Sequence, residues 1–418
     1  MRILYLADIR FPLERANGIQ SMETCHALAS RGHAVTMVVR PDTATPARDP
    51  LAFYGLPPVD GLRIEHAAVA GPPAGRRAGY LTFALGRALG RARQDLIFTR
   101  DLALASLLLR VPRAWRAPVV YEAHGIAAET AAALPDLVSG APRASAAKLQ
   151  RLAARDAHVW KTADGYVTIT TGLKQELERR FAPRPRIAVV PDGVRTVAAE
   201  PARTAPATAA PAAPEAPEAP AAPEAPLAPR ASPFTIGYAG HLYPWKGVDL
   251  VIEAVAALQD TRGLIVGGHA LEPDLARVKA FAEQLFCAGR VTFTGLLPPA
   301  DVAARLREAD VLVLPNPASA ISREFTSPLK LFEYMASGRP IVASDLPSFR
   351  EVLADGRNAV LVEAGNPQAL TAGIRTIKDD PALADRLARQ AMEDVRGYTW
   401  ARRAERLEEL FAEVRGGA

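Results

Sequence analysis

Residues 201–233 consist mostly of alanine, proline and glutamate, in runs such as Ala-Pro-Glu-Ala-Pro-Glu-Ala-Pro. A stretch like this has almost nothing to bury. It reads as an extended, partly polyproline linker, and its repetition is low complexity rather than a solenoid. The 418-residue chain is thereby divided into two halves of similar size. Two domains also fit the length. An apolar fraction of 49% gives both halves material for a core.

The two halves share one habit. In the first, Ile3 to Leu6 reads as a strand, followed by a glycine-containing loop and a helix from about Ile19 to Arg31 that Gly32-His33 closes. Further strands are expected at Ala34 to Val39, Asp95 to Phe98, Val119 to Glu122, Gly165 to Thr170 and Ile187 to Val190. In the second, strands are expected at Thr235 to Tyr238, Gly263 to Val266, Val291 to Thr294, Val311 to Leu314 and Ile341 to Ala343. Helices such as Gly247 to Leu258 and Pro299 to Ala309 intervene. Short apolar strands alternating with amphipathic helices predict parallel sheets covered on both faces. The expected fold is α/β, with two doubly wound, Rossmann-like domains facing across a cleft. One spans 1–195 and the other 234–393, with 196–233 as linker or insertion. Ligands of such sheets bind at the carboxyl ends of the strands, and here that edge becomes the cleft.

Several classes are set aside by what the chain lacks. Cys25 and Cys287 sit in different halves, so a disulfide framework or thiolate zinc site is not expected, and a reducing, cytoplasmic setting is. The N-terminus reaches Asp8 too early for a signal peptide and reads as a first strand. No run approaches the length of a transmembrane helix. No HExxH, paired CxxC, GxSxG or metal-spaced carboxylate cluster occurs, so no tightly bound metal or cofactor is expected. Charge is uneven: residues 1–195 hold 27 Lys and Arg against 17 Asp and Glu, and the remainder 23 against 28. A basic first half suits anionic partners, unless it reflects only Arg-rich usage. Without interleaved aromatic residues it does not suggest nucleic acid.

The segment Thr326 to Asp345 is the densest in function. Thr326, Ser327 and Pro328 read as a helix start, Leu329 to Ser337 as helix, Gly338 as its stop and Ile341 to Ala343 as a buried strand. Free N–H groups at that helix start suit a phosphate. Glu333, one turn further in, can accept bonds from a sugar hydroxyl pair, or face solvent as a plain surface acid. Glu324 and Lys330 flank the same loop, at the site or on the surface. Gly18 lies between the first strand and first helix, where it either lets the backbone approach a phosphate or makes a tight turn. His124, after the strand Val119 to Ala123, either meets a ligand at the sheet edge or is satisfied by loop backbone. Lys246 precedes a helix, a poor place for a cation unless an anion shares it. Trp245 reads as packing.

These pieces resemble the retaining glycosyltransferases of family 4, the group 1 enzymes with the GT-B fold. The resemblance rests on Asn17-Gly18 through Gly32-His33, His124-Gly125, Val190 to Val194, Gly240 to Gly247, Val266 to Gly268, Val291 to Gly295 with Leu297-Pro298, Ala309 to Val311, and Thr326 to Asp345. It implies sugar transfer from a nucleoside diphosphate sugar to an acceptor, with retention, in polysaccharide, glycolipid or cell-envelope glycan synthesis. It assigns Gly18, Gly240, His241, Lys246, Leu329 and Lys330 to the diphosphate, Lys246 and His124 to catalysis, and Glu333 and Leu297 to the ribose and base. Glu324, Phe325, Thr326 and Ser327 fall in the donor-sugar region. The resemblance also implies that residues 394–418, with a helix over Asp394 to Phe411, return to the first domain.

Two positions depart from the family pattern. Phe325 stands where a sugar-binding glutamate is common, with Glu324 one residue off register. His241 stands where an arginine is common, and histidine offers less charge at neutral pH. The acceptor is expected to be a glycan, a lipid-linked or a small molecule. The basic residues around an apolar stripe at 76–93 suit peripheral contact with an anionic membrane, or a helix that merely covers the sheet. Two other readings share the fold: a nucleotide-sugar 2-epimerase, which needs acid/base carboxylates in the cleft, and a non-catalytic nucleotide-sugar binder.

Overall fold

A computed structural model describes residues 1–90, 94–138, 140–195, 233–270, 272–319, 322–323 and 328–416. The Ala/Pro segment 196–232, the site candidates Glu324, Phe325, Thr326 and Ser327, and residues 91–93 of the basic stretch lie outside the described residues. Among those described, no helix is long and apolar enough to cross a membrane.

The first sheet contains β1 (Arg2–Arg10), β2 (Ala34–Arg40), β3 (Leu62–His66), β4 (Leu96–Thr99), β5 (Val119–Ala123), β6 (Gly165–Thr168) and β7 (Ile187–Val189). All pairings are parallel, in the order β3-β2-β1-β4-β5-β6-β7. The second contains β8 (Phe234–Ala239), β9 (Thr261–Val266), β10 (Val291–Gly295), β11 (Val311–Leu314), β12 (Ile341–Ser344) and β13 (Val360–Val362). It too is parallel, in the order β10-β9-β8-β11-β12-β13. Each order reverses direction from its first strand, which opens a crevice at the carboxyl ends. Central strands β4, β5, β6, β11 and β12 are buried throughout. Helices cover them on both faces, so their apolar runs are continuous rather than alternating.

The edge strands β3 and β13 were not expected from sequence. Leu62-Arg-Ile-Glu-His66 interleaves charge and β13 is only three residues long, so neither makes a strong apolar run. The first helix begins at Ala16, which places Gly18 inside its first turn rather than in the preceding loop. The expected helix over Asp394 to Phe411 is broken: Asp394 ends the helix Pro381–Asp394, Val395–Tyr398 is a 3-10 turn, and the last helix runs from Trp400 to Gly416.

That last helix belongs to the first domain by packing. Trp400, Ala404, Leu407, Leu410, Phe411 and Val414 recur at helical spacing and join a core with Ile3, Tyr5, Phe98 and Val120. On the same buried face sits Arg403. Its guanidinium pairs with Glu122 on β5 and donates to Thr24 Oγ1 at 3.0 Å, Val190 O at 2.8 Å and Pro191 O at 3.0 Å. Both side chains of the pair are almost fully buried, at 1% and 2% exposure. Removing one member strands the other charge, so Arg403→Ala is expected to cost about 3–5 kcal/mol in chemical denaturation. An unchanged transition would show that the helix is held by its apolar face alone.

Candidate functional site

The carboxyl ends of both sheets meet at a cleft. A cavity of about 180 Å³ lies there, bounded by Gly240, His241 and Lys246 after β8, by Leu296 and Leu297 after β10, and by Leu329, Lys330 and Glu333. The first domain adds Glu14, Ala16 and Ile19.

Backbone geometry delivers Lys246. After β8 the chain makes a 3-10 turn, Pro244–Lys246, and then the helix Val248–Ala257. Gly247 joins them at φ +73°, where a Cβ would lie 1.9 Å from the Pro315 carbonyl oxygen. Only glycine fits, so the turn is clamped against the end of β11. Lys246 Nζ rests 3.6 Å above the Trp245 ring. Trp245, read from sequence as packing, thus contributes a ring face to Lys246, one of the site's two lysines. Burial pulls Lys246 down to about 7.

Lys330 is buried, at 8% exposure, and its Nζ has no hydrogen-bond partner. It lies 4.1 Å over the Tyr238 ring. Burial, and then the charge of Lys246, hold it well below the ordinary lysine value, against the opposing pull of Glu333. It is not a surface residue. Glu333 is half-buried and is pushed up by burial, with Lys330 and Arg195 opposing. The buried, unpartnered amine of Lys330 and the half-buried Lys246 beside it form a wall that an anion would stabilise. Pro328 is the N-cap of the helix Leu329–Ala336 rather than part of its first turn.

His241 is neutral by environment: burial lowers its pKa, although Glu272 opposes. Its Nδ1 lies 3.2 Å from Glu272 Oε2, and its ring stacks on Tyr243 at 5.0 Å. Tyr243 Oη donates to Glu272 Oε1 at 2.9 Å. Arg15, from the first domain, reaches the same Glu272 oxygen at 3.3 Å.

Two candidates lie elsewhere. A Cβ on Gly18 would meet Leu13 O at 2.5 Å and Tyr54 Oη at 2.8 Å. Its missing side chain therefore serves packing of the first loop, and its neighbours Ala16 and Ile19 form the cavity wall instead. His124 is not on that wall either. It bonds Glu122, which also takes Gln20 and Arg403. Burial, then Arg100, lowers His124 to about 4, so the ring is neutral at pH 7. Burial pushes Glu122 up, but Arg403 and His124 outweigh it and hold the carboxyl well below its usual range. The helix Ala127–Leu137 that follows His124 packs against the Lys246 turn.

Sequence reasoning missed a second cavity of about 350 Å³, which shares Ile19, Leu329 and Glu333 with the first. Glu23 lines it, 3% exposed and raised to about 7 by burial, with Arg195 Nε at 2.7 Å. It also missed Asn316, fully buried after β11 with neither amide atom hydrogen-bonded. Arg403 falls on the apolar stripe of its helix, and that was a legible signal. Glu272 and Arg15 carry none. Among the described residues no cluster of three or more His, Cys, Asp or Glu could hold a metal.

Known proteins resemble this chain in sequence and fold. The family described as "Glycosyl transferases group 1" matches residues 233–380, and "Glycosyl transferase 4-like domain" matches residues 18–193. A D-inositol 3-phosphate glycosyltransferase of Corynebacterium glutamicum is 31% identical over 185 residues, 42% of this chain and 42% of that protein. The match thus spans less than half that relative's length. The same-named protein of Segniliparus rotundus is 28% identical over 416 residues, 94% of this chain and 84% of its own. Among solved structures, sucrose-phosphate synthase of Thermosynechococcus elongatus has a TM-score of 0.75 at 18% identity, with 100% of each chain covered. Anabaena HepE in complex with UDP-glucose has a TM-score of 0.69 at 16% identity, over 99% of this chain and 100% of that one. These structural likenesses show the GT-B fold.

The lysines make anion binding pH-dependent. Burial depresses Lys246 to about 7, so above pH 7 it is largely neutral. A bound polyanion favours the charged form and raises that pKa, so binding takes up protons. Affinity for pyrophosphate should fall as pH rises through 7, by up to roughly tenfold per unit for one coupled proton. Calorimetry at pH 8 in buffers of different ionisation enthalpy should reveal proton uptake, diminished in Lys246→Met.

Proposed function

We propose that this chain, which belongs to the group 1 glycosyltransferases with the GT-B fold, transfers a sugar from a nucleoside diphosphate sugar to an acceptor with retention of configuration, as in family 4. The observation that carries the reading is the pair of charge-starved lysines, Lys246 and Lys330, beside Glu333 on one cavity wall. Lys246 stabilises the diphosphate as the sugar leaves, with Lys330 and the N–H groups at the start of the Leu329–Ala336 helix assisting. Glu333 holds the ribose hydroxyls, and the main chain near Leu297 flanks the base. Gly240 and His241 belong to the diphosphate loop. Glu324, Phe325, Thr326 and Ser327 are assigned to the donor sugar, and His124 to its neighbourhood. Gly18 acts indirectly, by seating the loop ahead of the first helix.

HepE, solved with UDP-glucose, supports a nucleotide-sugar donor. Relatives named for inositol phosphate and for phosphatidyl-myo-inositol support a glycolipid or cell-envelope acceptor. No tightly bound cofactor enters this mechanism, since the leaving phosphate and the lysines supply the charge.

Incubating the enzyme with candidate donors tests the reading. Release of free nucleoside diphosphate supports transfer, inversion at C2 would make it an epimerase, and binding without turnover a binder. Thermal shift against nucleoside diphosphates identifies the base, because a bound ligand raises apparent stability. Lys246→Ala should lower turnover by roughly one to three orders of magnitude, the range for a lost electrostatic stabiliser. Unchanged turnover would remove Lys246 from the mechanism.

Peripheral contact with an anionic membrane, on the cytoplasmic face, completes the reading. The helix Pro73–Leu89 buries Tyr80, Ala84 and Ala88 against the sheet, and Arg77 and Arg87 are engaged by Asp101 and Glu65. Exposed Arg76 and Leu89 are left for a lipid surface. Co-flotation with anionic vesicles at low salt is the expected result, and its absence would leave the transferase without this attachment.

A further inference from the structure

We infer that Arg15, carried on the first domain, is the guanidinium of the diphosphate site, supplied across the cleft, with Glu272 as its alternative partner. The inference rests on the donor reading above. Arg15 stands between Glu14 and Ala16, both of which line the Lys246 cavity. Its Nη2 lies 3.3 Å from Glu272 Oε1, on the other domain. The same carboxylate holds His241 Nδ1 at 3.2 Å through its second oxygen, and His241 is on the cavity wall. One carboxylate therefore separates the guanidinium from the phosphate loop.

The chemistry of the wall gives that guanidinium a task. His241 is held neutral by burial, so the loop offers hydrogen bonds but no fixed charge. Lys246 and Lys330 are both driven towards neutrality. A guanidinium keeps its charge in any protein environment and presents a planar fork that fits phosphate oxygens. Lys330 Nζ, buried and without a hydrogen-bond partner, independently marks the cavity as built for an anion.

Arg15 is also free to change partner. Its side chain is 59% exposed, and an exposed ion pair contributes about 0–1 kcal/mol. A diphosphate brings more charge than a carboxylate and can accept two parallel N–H bonds. Exchange from Glu272 to the diphosphate would tie donor binding to the approach of the two domains. The same exchange leaves Glu272 to His241 and Tyr243, which hold the loop in shape.

Calorimetric titration of the full chain with inorganic pyrophosphate, which has no base to choose, tests this. Arg15→Ala should weaken pyrophosphate by about tenfold or more, the scale of a lost charge-assisted bond. Glu272→Gln, which keeps the hydrogen bonds and removes the competing charge, should tighten it or leave it as it is. A latch between domains would make both substitutions weaken binding, so these unequal responses separate a ligand contact from a latch. If Glu272→Gln weakens pyrophosphate, or if Arg15→Ala weakens it less than about threefold, the inference is overturned while the donor reading stands. If the unsubstituted chain binds neither pyrophosphate nor any nucleoside diphosphate, the donor reading itself falls and this inference with it.

Discussion

The carboxylate of Glu122 is where three parts of the molecule are joined. It sits at the end of β5 and takes Gln20 from the first helix, His124 from the cleft edge and Arg403 from the last helix. An acid this deeply buried is tolerable only with full compensation. The last helix of the chain supplies the charge, from a residue 281 positions away. The first domain therefore reaches its final electrostatic state only when the chain has passed through the second and returned.

A different balance holds in the cleft. Glu122 and Arg403 answer each other, whereas Lys246 and Lys330 share a cavity with two half-buried acids among the described residues, Glu333 and, from the first domain, Glu14. Burial depresses both amines, and their mutual repulsion adds to the effect on Lys330. Such an arrangement is costly to the folded protein and is relieved by an anion. Frustration of this kind is expected at functional sites, where local rules are broken to a purpose. The contrast between a satisfied ion pair behind the sheet edge and a buried, unpartnered Lys330 in front of it separates scaffold from site.

Much of the fold was legible because central strands of parallel sheets are apolar without interruption, as in Val311-Leu-Val-Leu314. What escaped were edges, where β3 mixes Arg63 and Glu65 among its apolar residues and so resembles a loop. In the site, Lys246 and Glu333 could be read from local conflict: a cation ahead of a helix, and an acid on an apolar helix face. Gly18 could not be assigned from sequence, because a glycine needed for a ligand and one needed by Leu13 and Tyr54 look alike there. His124 was seen without its context, since Glu122 reads as one more strand residue until Arg403 is folded against it. Arg15 and Glu272 violate no local rule at all. Their significance comes only from the meeting of two domains.

The chain passes between the two domains at two places among the described residues. It crosses at Gly193–Arg195 and again at Tyr398–Trp400, and the two crossings touch: Val194 N–H donates to Tyr398 O at 2.9 Å. A Cβ on Gly193 would lie 2.8 Å from Trp400 N and from Thr399 C. The two crossings are thus pressed together. Away from these crossings, the polar contacts across the cleft described next are exposed. Arg15 meets Glu272, and Glu351 of the second domain accepts the N–H groups of Thr171 at 2.8 Å and Gly172 at 3.0 Å, capping a first-domain helix. Leu329 adds an apolar contact by joining the first domain's core. Exposed pairs worth about 1 kcal/mol or less hold a closed state only loosely. A ligand gripped from both sides can then decide the position of the domains, because it needs to outweigh so little.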